Sequence, residues 1–365
     1  MRVYVGLSGG VDSSVTAALL VEQGYDVTGV YMKNWTRDLP GMKCPWAEDL
    51  ADAKRIAVQL GIPFKVYDFQ DEYKHHVVDY MVREYQAGRT PNPDIMCNQE
   101  VKFKLFLETA LSDGADMIAT GHYAAVQDRL ASPFGSEVDA ELAPHSITLA
   151  YGARLLRAKD EKKDQTYFLY RITNEALAKT LFPLGRLTKT EVRFIAEQKD
   201  LVTAHKKDSQ GICFVGSVGI KEFLSQFAQS SPGDVVDRDT DKAIGHHDGA
   251  LFYTIGQRHG LGLGGGLPYY VVGKDMEKNI VYVSRNLNDG AMWRTELSLN
   301  DMHWINQSPS DNEPLLARLR HRGTLLPATL RGTTLHLNEA ERAATAGQSV
   351  VLYRGSEVLG GGIIV

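Results

Sequence analysis

Gly6-Leu7-Ser8-Gly9-Gly10-Val11-Asp12-Ser13 lies between an apolar run of strand length, residues 2–7, and a helical pattern that puts Val11, Val15, Ala18 and Leu19 on one face. The paired glycines let the backbone come close to a ligand. The helix that follows offers unpaired N–H groups and the positive end of its dipole. Ser8 and Ser13 add hydroxyl donors. Together these features make a phosphate cradle at the first strand–helix junction. Asp12 is out of place in an anion site unless a metal ion or a hydroxyl needs it. No GxxxxGK[ST] is present, so the P-loop lysine is missing and a kinase-like γ-phosphate site is not expected. A Ser/Asp-capped helix after a glycine turn is the plain alternative, and the complete hexapeptide 8–13 at this junction argues against it.

Outward from the loop, strands and helices alternate. Strands are expected at 26–31, 64–67 and 117–120, and helices at 47–60, 71–87 and 98–113. This order calls for a parallel sheet with helices on both faces, whose ligands bind at the carboxyl ends of the strands. Residues 128–153 break the pattern and read as an extended hairpin or loop. Helices resume at 175–181 and 189–199, the latter behind a Thr188/Glu191 capping box. Beyond about residue 215 turns become dense, and from about 287 short strands with period-2 stretches suggest a small closed β barrel. The expected units are 1–216, 217–287 and 288–365.

A chain of 365 residues with 43% hydrophobic content builds ordinary cores in two or three domains. Its formal charge of −5 argues against coating nucleic acid by bulk charge but leaves room for a local basic face. No apolar run approaches the ~18 residues of a membrane span, and no secretory leader is read at the N-terminus. The cysteines are Cys44, Cys97 and Cys213, with no CxxC pair. That set gives neither a disulfide framework nor a zinc site, and no protein-held metal is expected. The chain reads as cytoplasmic.

Other stretches carry chemistry. Thr90-Pro91-Asn92-Pro93-Asp94-Ile95-Met96-Cys97-Asn98 is a proline-stiffened loop running into the 98–113 helix. Cys97 at that helix entrance would have its thiol pKa lowered, and Asp94 could move a proton. A capped helix with a buried cysteine is the alternative. Ser209-Gln210-Gly211-Ile212-Cys213-Phe214 follows the basic His205-Lys206-Lys207. Taken alone, Cys213 reads as core. Thr120-Gly121-His122-Tyr123 sits at the end of the fourth strand, and Lys162–Tyr167 mixes charge with an aromatic. Arg318, Arg320 and Arg322 would share one face of a strand, as a phosphate-contacting edge or a merely solvated one.

The 8–13 hexapeptide resembles the PP-loop of the ATP pyrophosphatases, which cleave ATP to AMP and pyrophosphate. The wider set resembles one family, the bacterial tRNA-specific 2-thiouridylases. The set comprises the 6–13 loop, Thr90–Asp94 with Cys97-Asn98, Ala119-Thr-Gly-His-Tyr-Ala124 and Lys163-Asp-Gln-Thr-Tyr-Phe-Leu169. It continues with Gly211-Ile-Cys-Phe214, Tyr253-Thr-Ile-Gly-Gln-Arg258 and Gly260-Leu-Gly262. These occur in the family's order along nearly the whole chain, and they separate it from the 4-thiouridine synthases.

The resemblance implies a PP-loop (adenine nucleotide alpha hydrolase-like) α/β domain, a small central tRNA-binding domain and a C-terminal β barrel. It implies a tRNA-uridine 2-sulfurtransferase that uses ATP, with Mg²⁺, to adenylate and then 2-thiolate the wobble uridine. Gly6, Leu7, Ser8, Gly9, Gly10, Val11, Asp12, Ser13 and Met32 would hold ATP, with Gly121 near the nucleotide. Cys213 would carry the persulfide, and Cys97 would be its nucleophilic partner. Asn92, Pro93 and Asp94 would contact the flipped base, with Asp94 as acid/base. His122, Lys163, Asp164, Gln165, Arg320, His321 and Gln348 would contact tRNA. A cysteine desulfurase or sulfur-relay protein would donate the sulfur. Lysine, glutamate and glutamine tRNAs would be the substrates, and a monomer is expected. Cys44 matches no catalytic position. The rival readings are another adenylating PP-loop enzyme, which needs no paired cysteines, and a nucleotide-gated RNA-binding protein without catalysis.

Overall fold

Strands β1 (Arg2–Gly6) and β2 (Asp26–Lys33) are buried along most of their length, as strands covered on both faces by helices must be. A computed structural model describes residues 1–38, 44–127, 152–208, 220–264, 267–286 and 290–365. The chain continues through β3 (Phe64–Asp68), β4 (Met117–Ala119), β5 (Ala125–Gln127), β6 (Arg154–Leu156) and β7 (Thr180–Leu181). One sheet has the order β3-β2-β1-β4-β7, with every neighbouring pair parallel. The order therefore switches direction at β1/β4. Helix α1 (Val11–Glu22) leaves β1 at this point and is buried on nearly every side, from Val11 to Leu20. The expected α/β architecture is present.

Two expected helices have different limits. The 98–113 helix begins at Pro93, with Asn92 as its N-cap: Asn92 Oδ1 accepts from Asp94 N at 3.2 Å and Ile95 N at 3.4 Å. Asn-Pro is a cap followed by a proline at the first helical position, where no N–H is needed. Cys97 is thus one turn inside the helix and opens a wider π-helical stretch, Cys97–Leu105. The dipole argument for its thiol weakens there, because that effect fades beyond the first turn. The 175–181 helix is Asn174–Ala178 only, because Thr180–Leu181 pairs with β4 as the sheet edge.

The central part holds β8 (Gly233–Asp237), β9 (Lys242–His247), β10 (Tyr270–Asp275) and β11 (Ile280–Ser284), ordered β10-β11-β8-β9. The last part is a barrel of β12 (Trp293–Trp304), β13 (Leu315–Arg318), β14 (Leu326–Arg331), β15 (Thr334–Arg342), β16 (Ser349–Arg354) and β17 (Glu357–Ile364). Pairing of β12 with β17 closes it. β17 also pairs with β6, so the β5–β6 hairpin of the first part extends the barrel's sheet. Residues 128–151 of the irregular stretch between those strands lie outside the described residues.

One buried apolar cluster runs through all three parts, from Val30 and Phe106 to Val235, Val283 and Tyr353, beside a separate cluster in the first part and another in the barrel. Tyr167 donates to Ser349 O at 2.9 Å, and the Tyr170 hydroxyl is 3.1 Å from Ser349 Oγ. Asp164 is fully enclosed. It accepts from Arg318 Nη1 at 2.8 Å, from Thr166 Oγ1 at 2.9 Å and from Ala158 N at 3.3 Å. The arginine stripe therefore does not form. β13 ends at Arg318, which turns inward to Asp164; Arg320 stays exposed on Glu341; and Arg322 takes a left-handed turn conformation.

Breaking a buried ion pair strands a charge, which costs about 3–5 kcal/mol. Asp164→Asn should lower the unfolding free energy by that amount, read as a lower urea midpoint at an unchanged slope. The double replacement Asp164→Leu/Arg318→Met should recover most of the loss. Equal midpoints for the wild type and Asp164→Asn would show that the pair holds nothing together.

Candidate active site

The 6–13 loop runs from the carboxyl end of β1 into α1. Gly9 has φ +75°, and a Cβ there would stand 2.3 Å from Asp49 O, so only glycine lets the loop pass the start of helix α2 (Trp46–Leu60). Gly10 is the N-cap of α1 and brings no side chain to occupy its first N–H groups. Ser13 Oγ accepts from Ser8 N at 3.2 Å and donates to Gly10 O at 3.1 Å, which draws the loop into a ring. Its hydroxyl therefore shapes the cradle from within. Met32 packs over Gly6, with its Cε 3.0 Å from a Cβ built there.

The turn after β4 closes the other side. A Cβ on Gly121 would lie 2.8 Å from Ser13 N and 2.9 Å from Asp12 C. The 6–13 loop, Met32 and Gly121 thus converge at the switch point of the sheet, where such sheets take their ligands. An open helix N-terminus, the Ser8 hydroxyl and a glycine-lined approach are a donor set that fits phosphate.

Side chains missed by the sequence reading complete this corner. Tyr123 OH donates to Asp12 Oδ1 at 2.9 Å, and Lys189 Nζ donates to the same carboxylate at 2.7 and 2.9 Å. Lys189 also meets Asp208 at 2.8 Å, and Asp208 in turn takes Lys163 at 2.7 Å and Arg193 at 2.6 Å. Burial would raise the Asp208 pKa, but the bonds from Lys163 and Lys189 outweigh it and hold the carboxyl well below its ordinary range. Burial, and then the Asp12 charge, push the Tyr123 phenol well above its usual value, so it remains a donor. The signal for Lys189 was its place right behind the Thr188 cap, where a cation opposes the helix dipole.

The Thr90 loop is clamped from outside its own domain. Thr90 N donates to Ala346 O at 2.9 Å, Gln348 Nε2 donates to Thr90 O at 2.8 Å, and the Thr90 hydroxyl lies 3.1 Å from that of Thr254. Gly347, at φ +89°, crosses so closely that a Cβ would be 2.8 Å from Thr90 N. From this anchor the chain turns through Asn92, buried Pro93 and half-buried Asp94 to Cys97, which is 3% exposed. Asn98 Nδ2 donates to Phe168 O at 3.1 Å. Cys213 lies outside the described residues.

The expected tRNA contacts fall into distinct settings. His122 is buried between the rings of Phe103 and Phe182, with Nδ1 2.8 Å from Thr120 Oγ1. Burial, with Lys102 nearby, holds its pKa well below the usual value. A direct RNA contact by His122 does not fit this enclosure, nor does one by Asp164, which is spent on Arg318. Gln165 accepts from Tyr123 N at 2.9 Å and so braces the turn after β4. Lys163 is half-buried on Asp208.

Arg320 and Gln348 line a groove of about 590 Å³ with Thr254, Gln257, Arg342 and Thr345. His321 lies close to Phe168, 4.4 Å between ring centres. Burial, then the charges of Arg322 and Arg318, push its pKa down to about 4. Among the described residues no three His, Cys, Asp or Glu side chains are placed to hold a metal, and no helix is long and apolar enough to cross a membrane.

Comparison with known proteins gives three family models in succession. They are the tRNA methyl transferase HUP domain over residues 1–217, the tRNA methyl transferase PRC-barrel domain over 221–285 and the aminomethyltransferase beta-barrel domain over 294–364. The tRNA-specific 2-thiouridylase MnmA of Bacillus subtilis is 46% identical over 100% of this chain and 94% of its own. The protein of that name from Enterococcus faecalis is 45% identical, covering 100% and 95%. A solved NMN synthetase from Francisella tularensis matches 62% of this chain and 72% of its own at 15% identity and a TM-score of 0.35. Identity at this level along the full length, together with a model spanning more than half the chain, shows that this protein belongs to the tRNA-specific 2-thiouridylase family.

Proposed function

We propose that this tRNA sulfurtransferase adenylates the wobble uridine of its tRNA with ATP and replaces the C2 oxygen with sulfur from a cysteine persulfide. The observation that carries the reading is one continuous frame joining the cradle to Cys97. Tyr123 bonds Asp12 through its hydroxyl and Gln165 through its N–H, and Asn98, next to Cys97, bonds Phe168 three residues further on.

ATP supplies the adenylyl group that makes the C2 oxygen a leaving group. The 6–13 loop and the first turn of α1 would hold its phosphates, Met32 and Gly121 would flank the nucleotide, and Mg²⁺ would offset the phosphate charge. A wobble base must leave its stack to be modified. Asn92, Pro93 and Asp94 receive it, with Asp94 moving the proton. Cys213 carries the persulfide. Attack by the Cys97 thiolate on the inner sulfur forms a Cys97–Cys213 disulfide and frees hydrosulfide, which displaces AMP at C2; a thiol reductant then resets the pair. Lysine, glutamate and glutamine tRNAs are the substrates, a cysteine desulfurase or sulfur-relay protein is the donor, and the enzyme acts as a cytoplasmic monomer. Arg320 and Gln348 meet the RNA at the groove, where phosphate contacts set position.

The test combines the protein with ATP, Mg²⁺, a persulfide donor and unmodified glutamate tRNA, followed by nucleoside mass spectrometry. The wild type should give 2-thiouridine, and Cys97→Ser and Cys213→Ser none. AMP release without thiouridine would point to a different acceptor. Overpacking a tight backbone contact costs about 1–3 kcal/mol. Gly121→Ala should therefore weaken ATP binding by roughly tenfold, measured by calorimetry, with the fold intact by circular dichroism. Gly347→Ala should loosen the Thr90 clamp instead, lowering the thiolation rate several-fold while the KM for ATP stays within about twofold.

A further inference from the structure

Lys189 opens the Lys189–Gln198 helix, 177 positions beyond Asp12, yet its ammonium sits 2.7 Å from Asp12 Oδ1 and 2.8 Å from Asp208 Oδ1 at the mouth of the 6–13 loop. We propose that Lys189 is a phosphate-binding residue of the nucleotide site. It supplies from a distant helix the cation that the 6–13 loop lacks, and it contacts the phosphates that depart as pyrophosphate. The inference rests on the reading of that loop as an ATP site.

Charge requires such a partner. Asp12 lies in the first turn of α1, among the N–H groups that would receive phosphate. Left alone, its carboxylate would repel the anion those groups attract. Lys189 cancels that charge where the anion would sit.

The ammonium can also turn to a ligand without stranding either carboxylate. Asp208 keeps Lys163 at 2.7 Å and Arg193 at 2.6 Å. Asp12 keeps the Tyr123 hydroxyl at 2.9 Å. An ammonium has three N–H donors, so Lys189 can hold a carboxylate and a phosphate oxygen together.

Its helix does not need it. The start is secured by the Thr188–Glu191 capping box, and the Lys189 N–H is taken by Asp160 Oδ2 at 2.9 Å. The side chain is 14% exposed, on the stem of a short, well-anchored segment, so little freedom is lost on binding.

In the reaction, the uridine O2 bonds to the α-phosphorus and the α–β bridging P–O bond breaks. Its electron pair leaves on pyrophosphate, and the uridine N3 proton passes to Asp94. A fixed ammonium beside the departing oxygens stabilises charge that grows in the transition state.

The test is calorimetric binding of ATP, pyrophosphate and AMP, each as a separate probe, to the full chain and its Lys189→Met, Lys189→Arg and Asp12→Asn/Lys189→Met variants. Lys189→Met should weaken ATP and pyrophosphate at least about tenfold, the loss expected for one charge-assisted contact, and leave AMP within about twofold. Lys189→Arg should retain most of the affinity. Equal weakening of all three probes would mark a structural staple and overturn the inference. Recovery of ATP affinity in the double variant would confine Lys189 to balancing Asp12 and overturn direct contact. A wild type that binds no ATP would remove the ATP reading itself, whereas wild-type binding with an unaffected Lys189→Met removes only this inference.

Discussion

A carboxylate and a guanidinium taken wholly out of water need each other, and here Asp164 and Arg318 are the pair. Their attraction offsets a desolvation cost of several kcal/mol per ion only because Thr166 and Ala158 complete the hydrogen bonding of the acid. Arg318 belongs to the barrel, and Asp164 to the loop that leads to Gln165. Gln165 sets the Tyr123 turn, and Tyr123 bonds Asp12. The barrel is thus bolted to the loop that shapes the corner around Asp12. Loss of the bolt would be felt at Asp12 through two intervening side chains.

Thr90 is a second bolt, fastened to the barrel and to the central part. Its N–H, carbonyl and hydroxyl all answer to residues far along the chain, Ala346, Gln348 and Thr254. The loop that follows is also stiffened within itself, by Pro91, the Asn92 cap and Pro93. The proposed role of receiving the base would call for this rigidity, since small displacements at a reacting centre cost large factors in rate. Gln348 lines the groove and holds Thr90 at once, so RNA in the proposed groove would touch the same residue that fixes the loop.

Much of this was legible in the residues, for physical reasons. A short glycine-rich loop between an apolar strand and a helix has few other uses, and the Thr188/Glu191 box announces its helix by local chemistry alone. What stayed hidden depends on contacts distant in sequence. Asn92-Pro93 looked like a stiff loop because a cap and a first-turn proline share that composition. Thr180-Leu181 looked helical because the edge of a sheet is invisible until β4 is placed beside it. The alternation of Arg318, Arg320 and Arg322 suggested one face, and only the turn after β13 separates them. Lys189 could not be joined to Asp12 across 177 positions by any local pattern.

That separation of the arginines bears on how an acidic protein takes up RNA. Arg318 and Arg320 carry the same charge two residues apart, but they are not interchangeable. The Arg318 side chain is 7% exposed and bound to an enclosed carboxylate, so removing it from Asp164 would strand a charge. The Arg320 side chain is 58% exposed, and its bond to Glu341 is of the kind worth about 1 kcal/mol or less. A phosphate can replace such a partner at almost no cost. A net charge of −5 leaves room for such a contact, because Arg318 is committed to Asp164 while Arg320, on the groove, is held loosely enough to be exchanged.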